Sequence, residues 1–532
     1  MTPVIDPAVI DIDETDLLDE LLDSDVAAPP ATTRRRARWN LPHPTAEIAL
    51  LALALTGATA LRMINLGGVG LNSDEAVYAS QSASLAGNPH FTSLFPVVRA
   101  HPLLLQVLMS PLYSSGVPDT VGRYVAALFG IGTIVLVYVA GQVFFNRRVA
   151  AMAALILAVM PYHVTVSRQI LLDGPAAFFT TAAMTCLAMA GRTSQRRWLV
   201  AGGACLGLAA LSKETAIIML GSAFVYLALV SHLWRPARFL VVGAFAALGI
   251  AWSYPLLTAL AGGSRSGQSY LVWQLTRQPN HSFDFYFSNV GAEIGFAVLG
   301  LAVVGLAWQW LTARSFSWRE ILLVSWVAVP VLFFQVWPVK GFSYLLPVVP
   351  ALALLGARAL QLIAHKAGRR RWVMPVVAAA AIATLAIPAA GDVLSPPTSG
   401  LAGAGGLLGG RETGRWVGSH VPEGAQFMTI GPSMANLIQY YSGHLSDGLS
   451  VSPNPLHRNP TYRPIRNADA ALRSGVYQYV VWDAYSAQRS PEFARKAVAL
   501  VRKFRGSPVH VERGRLHGQA DQALVIIYQV TP

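Results

Sequence analysis

Over residues 45–390 the chain alternates long apolar blocks with short polar interruptions. The blocks run about 18–25 residues, the length of a helix that crosses a bilayer. They predict eleven transmembrane helices, at 46–64, 120–144, 149–166, 174–191, 198–212, 215–233, 238–260, 290–312, 320–337, 343–364 and 372–390. Beyond residue 390 the pattern changes. A Pro/Gly stretch over 391–410, "LSPPTSGLAGAGGLLGG", reads as a linker. Its glycines imitate a nucleotide-binding turn only loosely, because no strand precedes them. Short β-like runs follow ("AQFMTI", "YQYVVW", "ALVIIYQV"), alternating with helical periodicity. The clearest helix is 491–504, with Phe493, Ala497, Val501 and Phe504 on one face. The expected fold is a polytopic α-helical membrane protein: a transmembrane domain over 45–390, then an α/β domain over 411–532.

Composition agrees. Of 532 residues, 54% are hydrophobic and 13% charged, too little charge to cover a soluble protein of this length. The net charge of +13 does not point to nucleic acid, because the cations sit in short clusters between apolar blocks. Arg34, Arg35, Arg36 and Arg38 precede the first block. Arg147 and Arg148, then Arg192, Arg196 and Arg197, then Arg235 and Arg238 follow later ones. Arg314 with Arg319, and Lys366 with Arg369, Arg370 and Arg371, complete the series. Threaded through eleven spans, all fall on one side, which the positive-inside rule makes the cytoplasm. The expectation is a multi-pass plasma-membrane protein with a cytoplasmic N-terminus. Loops 65–119 and 261–289 and the C-terminal domain are then extracytoplasmic.

Residues 1–44 are acidic and then basic, and read as a disordered cytoplasmic tail rather than a cleavable signal peptide. Within it "DLLDELL" offers an amphipathic turn to a partner, and Asp11-Ile-Asp13 matches the acidic pair of nucleotide-sugar enzymes by chance. Cys186 and Cys205 both lie in apolar blocks and read as buried small residues, with no disulfide framework or metal cage.

With this topology the costly polar residues gather at the outer rim. Asp74 and Glu75 stand in "GLNSDEAVYASQ", Arg99 and His101 in "FPVVRAHPLLL", and Arg168 and Asp173 in "SRQILLDGP". Lys213 and Glu214 stand in "LSKET", and Lys340 and Tyr344 in "VKGFSYLLP". Charges held at headgroup depth are functional or mutually paired. Each also has a structural reading. Ser73 and Asp74 suit a helix N-cap. Arg168–Asp173 and Lys213–Glu214 suit ion pairs within short hairpins. Lys340 suits a snorkelling lysine, and His101 a packed histidine before Pro102. Together, several cations and a carboxylate suit a lipid-linked anionic substrate: Arg and Lys to hold phosphate, the acid to take a proton from a nucleophile.

The ordered series "NSDEAVYA", "R-x-HP-LL", "GRYVAALFG", "SRQILLD", "LSKE" and "VKGFSYLLPVVPAL" resembles the polyprenyl-phosphate-sugar-dependent glycosyltransferases of the membrane-embedded C type. These include the protein O-mannosyltransferases of family 39 and the aminoarabinose-type lipid A transferases. The resemblance covers roughly residues 45 to 390. It implies that Asp74 is the catalytic carboxylate, with Glu75 as its neighbour for positioning or acceptor contact. It also implies donor-phosphate contacts from Arg99 or His101, from Lys213, and from Lys340 with Tyr344. Arg168 joins this basic set, and Asp173 and Glu214 support it. Two positions depart from the family: His101-Pro102-Leu103 replaces Lys-Pro or His-Pro-Pro, and Glu214 stands where many relatives have glycine. The implied reaction inverts the anomeric centre of a polyprenyl-phosphate sugar, mannose by resemblance, onto a protein, lipid or glycan acceptor.

Loop 261–289 reads as a lid. Its Trp273, Tyr286 and Phe287 suit either a sugar groove or, preferably, interfacial anchors. His281 and Asp284 offer two ligands to a divalent cation, a weak case for a metal site, so no cofactor is established and a divalent cation is left open. Asn280-His281-Ser282 is a chance sequon. The competing classes are a lipid or solute transporter or flippase, and a non-enzymatic envelope scaffold. A scaffold predicts Asp74 capping a helix in open solvent; an enzyme predicts it in a cavity facing cations.

Overall fold

The computed structural model describes residues 46–96, 101–114, 116–260, 273–367, 373–396, 404–459, 461–515 and 521–531. The expectations for residues 1–44, for Arg99, for 261–272, for Arg369, Arg370 and Arg371, and for 397–403 of the linker lie outside them.

The apolar blocks form helices. In chain order these include α1 (Ala46–Met63), the short α2 (Ser73–Leu85), α3 (Val121–Phe144), α4 (Arg147–Val159) and α5 (Pro161–Ser167). Then come α6 (Asp173–Thr193), α7 (Arg197–Ser212), α8 (Ile218–Leu229), α9 (Arg238–Leu260), α10 (Phe296–Ala313), α11 (Trp318–Val336), α12 (Val349–Ala367) and α13 (Val373–Leu394). Among the described residues, eight helices are long and apolar enough to cross a membrane, and nine if α4 and α5 count as one span bent by 62°. Against the eleven expected, the segments Arg197–Ser212 and Glu214–Leu229 are shorter.

The bend has a chemical cause. Pro161 has no N–H, so the Leu157 carbonyl loses its helical partner. Arg62, fully buried at the end of α1, fills the gap. Its guanidinium donates to Ala158 O at 2.9 Å, Leu157 O at 3.4 Å and Ser167 Oγ at 3.0 Å. It also contacts His163 Nδ1 at 2.6 Å, and because Arg only donates, that nitrogen accepts.

The two ends of the bundle differ in charge. Arg148 meets Glu47 at 3.0 Å, Arg192 donates to Gln142 O, and Arg196 to Arg235 O, so these three arginine clusters share one end. The opposite end of α1 receives Arg168, whose guanidinium donates to Leu61 O, Ile64 O and Asn65 O at 2.6, 2.8 and 3.1 Å.

The C-terminal part is a five-stranded sheet: β1 (Phe427–Thr429), β2 (Ser446–Gly448), β3 (Tyr479–Asp483), β4 (Ser507–Gly514) and β5 (Gln522–Gln529), in the order β2-β1-β3-β5-β4. β1 pairs in parallel with β2 and β3, and β5 runs antiparallel to β3 and β4. Residue alternation sends Met428 and Val480 into a core with Ala497 and Val501 of the helix Pro491–Lys503. Phe427 and Val481 face the other way, into one core shared with the membrane helices.

The sheet is therefore not hung on a slack linker. From residue 404 onward the Gly-rich stretch packs against the first loop. A Cβ on Gly406 would lie 2.4 Å from the Gly70 carbonyl oxygen, and one on Gly70 would lie 2.7 Å from Arg411 Cβ. Backbone approach this close needs glycine. Tyr441 completes the attachment, accepting from Leu71 N at 3.0 Å and donating to Asp119 Oδ2 at 2.9 Å.

Candidate active site at the rim of the helical bundle

A cavity of about 460 Å3 opens between α2, the turns before α6 and after α7, residues 273–285, residues 339–344 and the C-terminal domain. Its geometry starts with Asn72. The Asn72 side chain accepts from Asp74 N and Glu75 N, both at 3.0 Å, and Glu75 Oε2 accepts from Asn72 N at 3.0 Å. This capping box makes Asn72 the N-cap of α2, so Ser73 and Asp74 are not spent on capping. Asn72 Nδ2 is itself held by Gln169 Oε1 at 2.8 Å and Gly405 O at 3.3 Å.

Glu75 is fully buried and lies outside the cavity lining. Arg123 Nε and Nη2 each meet one of its oxygens at 2.7 Å, and Ile170 N donates to Oε1 at 3.1 Å. A carboxylate so bound cannot touch an acceptor, which removes Glu75 from the catalytic pair and leaves it the positioning role. Arg123 opens α3 within "GRYVAALFG"; a lone arginine at the head of an apolar helix was its sequence signal.

Asp74 is half-buried and lines the cavity. Among the described residues its carboxylate has no hydrogen-bond or ion-pair partner. Burial pushes its pKa up; the charges of His101, Lys213 and Arg277 oppose that, and Asp173 adds to it.

Asp173 and Glu214 are paired across turns, not within them. Lys213 Nζ donates to both oxygens of Asp173, at 2.7 and 2.8 Å, and lies 4.6 Å from the Tyr344 ring centroid. His101 Nδ1 meets Glu214 Oε2 at 3.2 Å, and its ring stands edge-on to Tyr78. The expected pairs Arg168–Asp173 and Lys213–Glu214 are thus replaced by Asp173–Lys213 and His101–Glu214. Packing of neighbouring helices brings those partners closer than the turn does.

Two expected phosphate ligands are corrected. Arg168 lines no part of the cavity, because the α1 carbonyls take its guanidinium. Lys340 does line it, but its ammonium turns back to Phe334 O, Gln335 O and Trp337 O at 3.4, 2.8 and 3.4 Å. A cation closing the C-terminus of α11 is favoured by the helix dipole and the orphan carbonyls. It is buried, not snorkelling. Tyr344 lines the cavity against Lys213 and Phe334.

The loop aromatics divide. Trp273 lines the cavity, against its reading as an anchor. Tyr286 is buried and accepts from Gly341 N at 3.4 Å, whereas Phe287 is 73% exposed. His281 stacks on Phe285 with centroids 4.2 Å apart, and Asp284 accepts from Ser288. Among the described residues no three His, Cys, Asp or Glu side chains group as metal ligands do.

Several cavity residues were not singled out from the sequence. Arg277 stacks over Trp273 at 4.6 Å and donates to Gln274 Oε1 at 3.1 Å. The C-terminal domain adds Arg458, Tyr462 and Arg489, and Asn436 donates to Ser73 Oγ at 2.9 Å. Arg277 stood within the predicted lid and was legible as a cation there. The C-terminal residues had no local signal, since only docking brings them over α2.

Comparison with known proteins agrees with this architecture. The family model for dolichyl-phosphate-mannose-protein mannosyltransferase matches residues 101–261. Undecaprenyl phosphate-alpha-4-amino-4-deoxy-L-arabinose arabinosyl transferase 2 of Proteus mirabilis is 27% identical over 241 residues, 43% of either chain. The putative mannosyltransferase YycA of Bacillus subtilis is 28% identical over 170 residues, 31% of this chain and 24% of that one. The matched segment thus spans less than half the length of these curated relatives. ArnT from Cupriavidus metallidurans, solved bound to undecaprenyl phosphate, superposes with a TM-score of 0.64 at 16% identity, over 90% of this chain and 97% of that one. An Archaeoglobus fulgidus oligosaccharyltransferase superposes at 0.59 with 17% identity, over 89% and 73%. The chain has the fold of these proteins, the C-type membrane glycosyltransferase fold anticipated from the motif series.

Proposed function

We propose that this chain is a membrane glycosyltransferase that moves a sugar from a polyprenyl-phosphate donor to an acceptor on the outer face of the plasma membrane. Asp74 serves as the base. One observation carries the reading: in a cavity where Asp173 is bound by Lys213 and Glu214 by His101, Asp74 alone of the lining carboxylates has no partner among the described residues. A scaffold has no use for an unpaired acid inside a cavity. A base does.

In the proposed reaction the acceptor hydroxyl gives its proton to Asp74 while its oxygen bonds to the anomeric carbon. The bond from that carbon to the phosphate oxygen breaks on the opposite face, and its electron pair leaves with the polyprenyl phosphate. The centre inverts through an oxocarbenium-like state. Arg277, the lining cation whose charge reaches Asp74 and which meets no described carboxylate, stands to neutralise the leaving phosphate. The matching family model and YycA suggest mannose as the sugar, and the Proteus mirabilis relative suggests 4-amino-4-deoxy-arabinose.

The test is an Asp74→Asn strain compared with wild type by mass spectrometry of lipid-linked sugars and surface glycans. The donor lipid accumulates, and so names the sugar, while one surface glycan disappears at unchanged protein abundance. Near-normal transfer in that strain refutes the role of Asp74.

A further inference from the structure

The inner basic side chains of the cavity are already engaged. Lys213 is bound to Asp173, His101 to Glu214, and Lys340 to three carbonyls. The outer wall, built by the C-terminal domain, is different. Arg458 and Arg489 both line it, and neither meets a carboxylate among the described residues. Nor can one come from the undescribed segments beyond residue 45, which contain no Asp or Glu.

Both side chains are placed without being neutralised. Arg458 Nη1 donates to Pro453 O at 2.9 Å, while its buried Nε has no hydrogen-bond partner. Arg489 Nη1 donates to Tyr485 OH at 2.6 Å and its guanidinium lies 5.5 Å from that ring's centroid. Neither guanidinium spends its charge on a carboxylate, so both leave charge available to an anion at the cavity wall. Along the same lining the domain presents Asn459, Tyr462 and Tyr485, an amide and two phenol side chains. Carbohydrates match such a surface: polar at the ring edges, apolar on the faces.

We infer that the C-terminal domain carries an acceptor subsite, in which Arg458 and Arg489 bind the negative charges of an anionic saccharide. The charge is a carboxylate or a phosphate, both of which fit a guanidinium fork. The inference rests on the glycosyltransferase reading and gives it a substrate class. It also explains the packed glycines at Gly70 and Gly406: the domain that chooses the acceptor must sit rigidly over the base.

The test uses the purified full-length protein in nanodiscs, titrated with three probes: a galacturonic acid tetrasaccharide, a phosphorylated tetrasaccharide, and a neutral galactose tetrasaccharide. At least one charged probe is expected to bind tenfold or more tightly than the neutral one. Arg458→Gln and Arg489→Gln each lower that affinity at least fivefold, and Arg→Lys at the same positions restores part of it. Which charged probe binds identifies the anion. Undecaprenyl phosphate binding and thermal unfolding, measured in parallel, establish that the variants are folded. Equal binding of the neutral probe, no binding of either charged probe, or charged-probe binding unchanged in both Gln variants overturns the inference. Asp74→Asn separates the two readings: it keeps saccharide binding if the subsite exists, whether or not Asp74 is the base.

Discussion

Arg123 grips both carboxylate oxygens of Glu75 at 2.7 Å, and this pair, 48 residues apart in sequence, decides which of two adjacent acids faces the cavity. Glu75 returns into the protein and closes the cap of α2. Asp74, one residue earlier and so about 100° round the helix, is left to line the cavity.

Breaking that pair therefore damages the frame. Glu75→Gln leaves the Arg123 guanidinium buried and uncompensated, a loss of about 3–5 kcal/mol. Thermal unfolding in detergent is expected to show a large drop, and pairing it with Arg123→Met to recover much of it. If Glu75→Gln unfolds like wild type, the anchoring role is wrong.

Asp74→Asn is expected to cut transfer by about 10²- to 10⁴-fold, the usual contribution of a positioned base. Abundance and binding of undecaprenyl phosphate stay at the wild-type level, as read by pull-down on lipid-loaded beads. A tenfold or smaller loss of rate contradicts it.

The pH profile follows from the raised pKa of Asp74. Only the ionised form takes a proton, so the rate climbs as pH rises through that pKa, with a limb above the ordinary aspartate value of about 3.9. For stability the sign is reversed. A group whose folded pKa is raised contributes stability below its unfolded pKa and loses it as pH rises through the folded one. Asp74→Asn is thus at least as heat-stable as wild type at neutral pH. Arg277→Gln removes an opposing cation and shifts the rate limb to higher pH; an unmoved limb in a pH series excludes the coupling.

Lys213→Met strands the Asp173 carboxylate beside Asp74. The cost is about 3–5 kcal/mol of stability, with the acid limb displaced upward by the extra negative charge. Adding Asp173→Asn returns the limb toward wild type. A double variant whose limb stays displaced shows that Lys213 acts on something else.

Arg168→Gln separates structure from chemistry. Lost charge-assisted bonds to the α1 carbonyls are expected to lower stability by about 1.5–3 kcal/mol. The rate per folded molecule stays within twofold of wild type. A hundredfold fall in that rate returns Arg168 to the site.

The sequence alone determined the helical membrane architecture, the clustering of the described arginines at one end of the bundle, and the acidic pair beside the first apolar block. Apolar length and local charge are properties of contiguous segments, so they can be read without a fold. Asp74 and Glu75 were legible as a pair, because a charge beside an apolar block carries a cost wherever the chain goes, but which of the two faces the cavity was decided by Arg123. The partners were not. Arg123 with Glu75, Lys213 with Asp173 and His101 with Glu214 join residues 48, 40 and 113 positions apart, and nothing in one segment reports the charge of a distant one. Lys340 and Arg168 looked like anion ligands until helix ends presented them with orphan carbonyls. Docking of the C-terminal sheet, through glycine contacts no periodicity predicts, alone placed Arg458 and Arg489 on the cavity wall. Sequence sets what each residue can do; packing decides which of those capacities remains unspent.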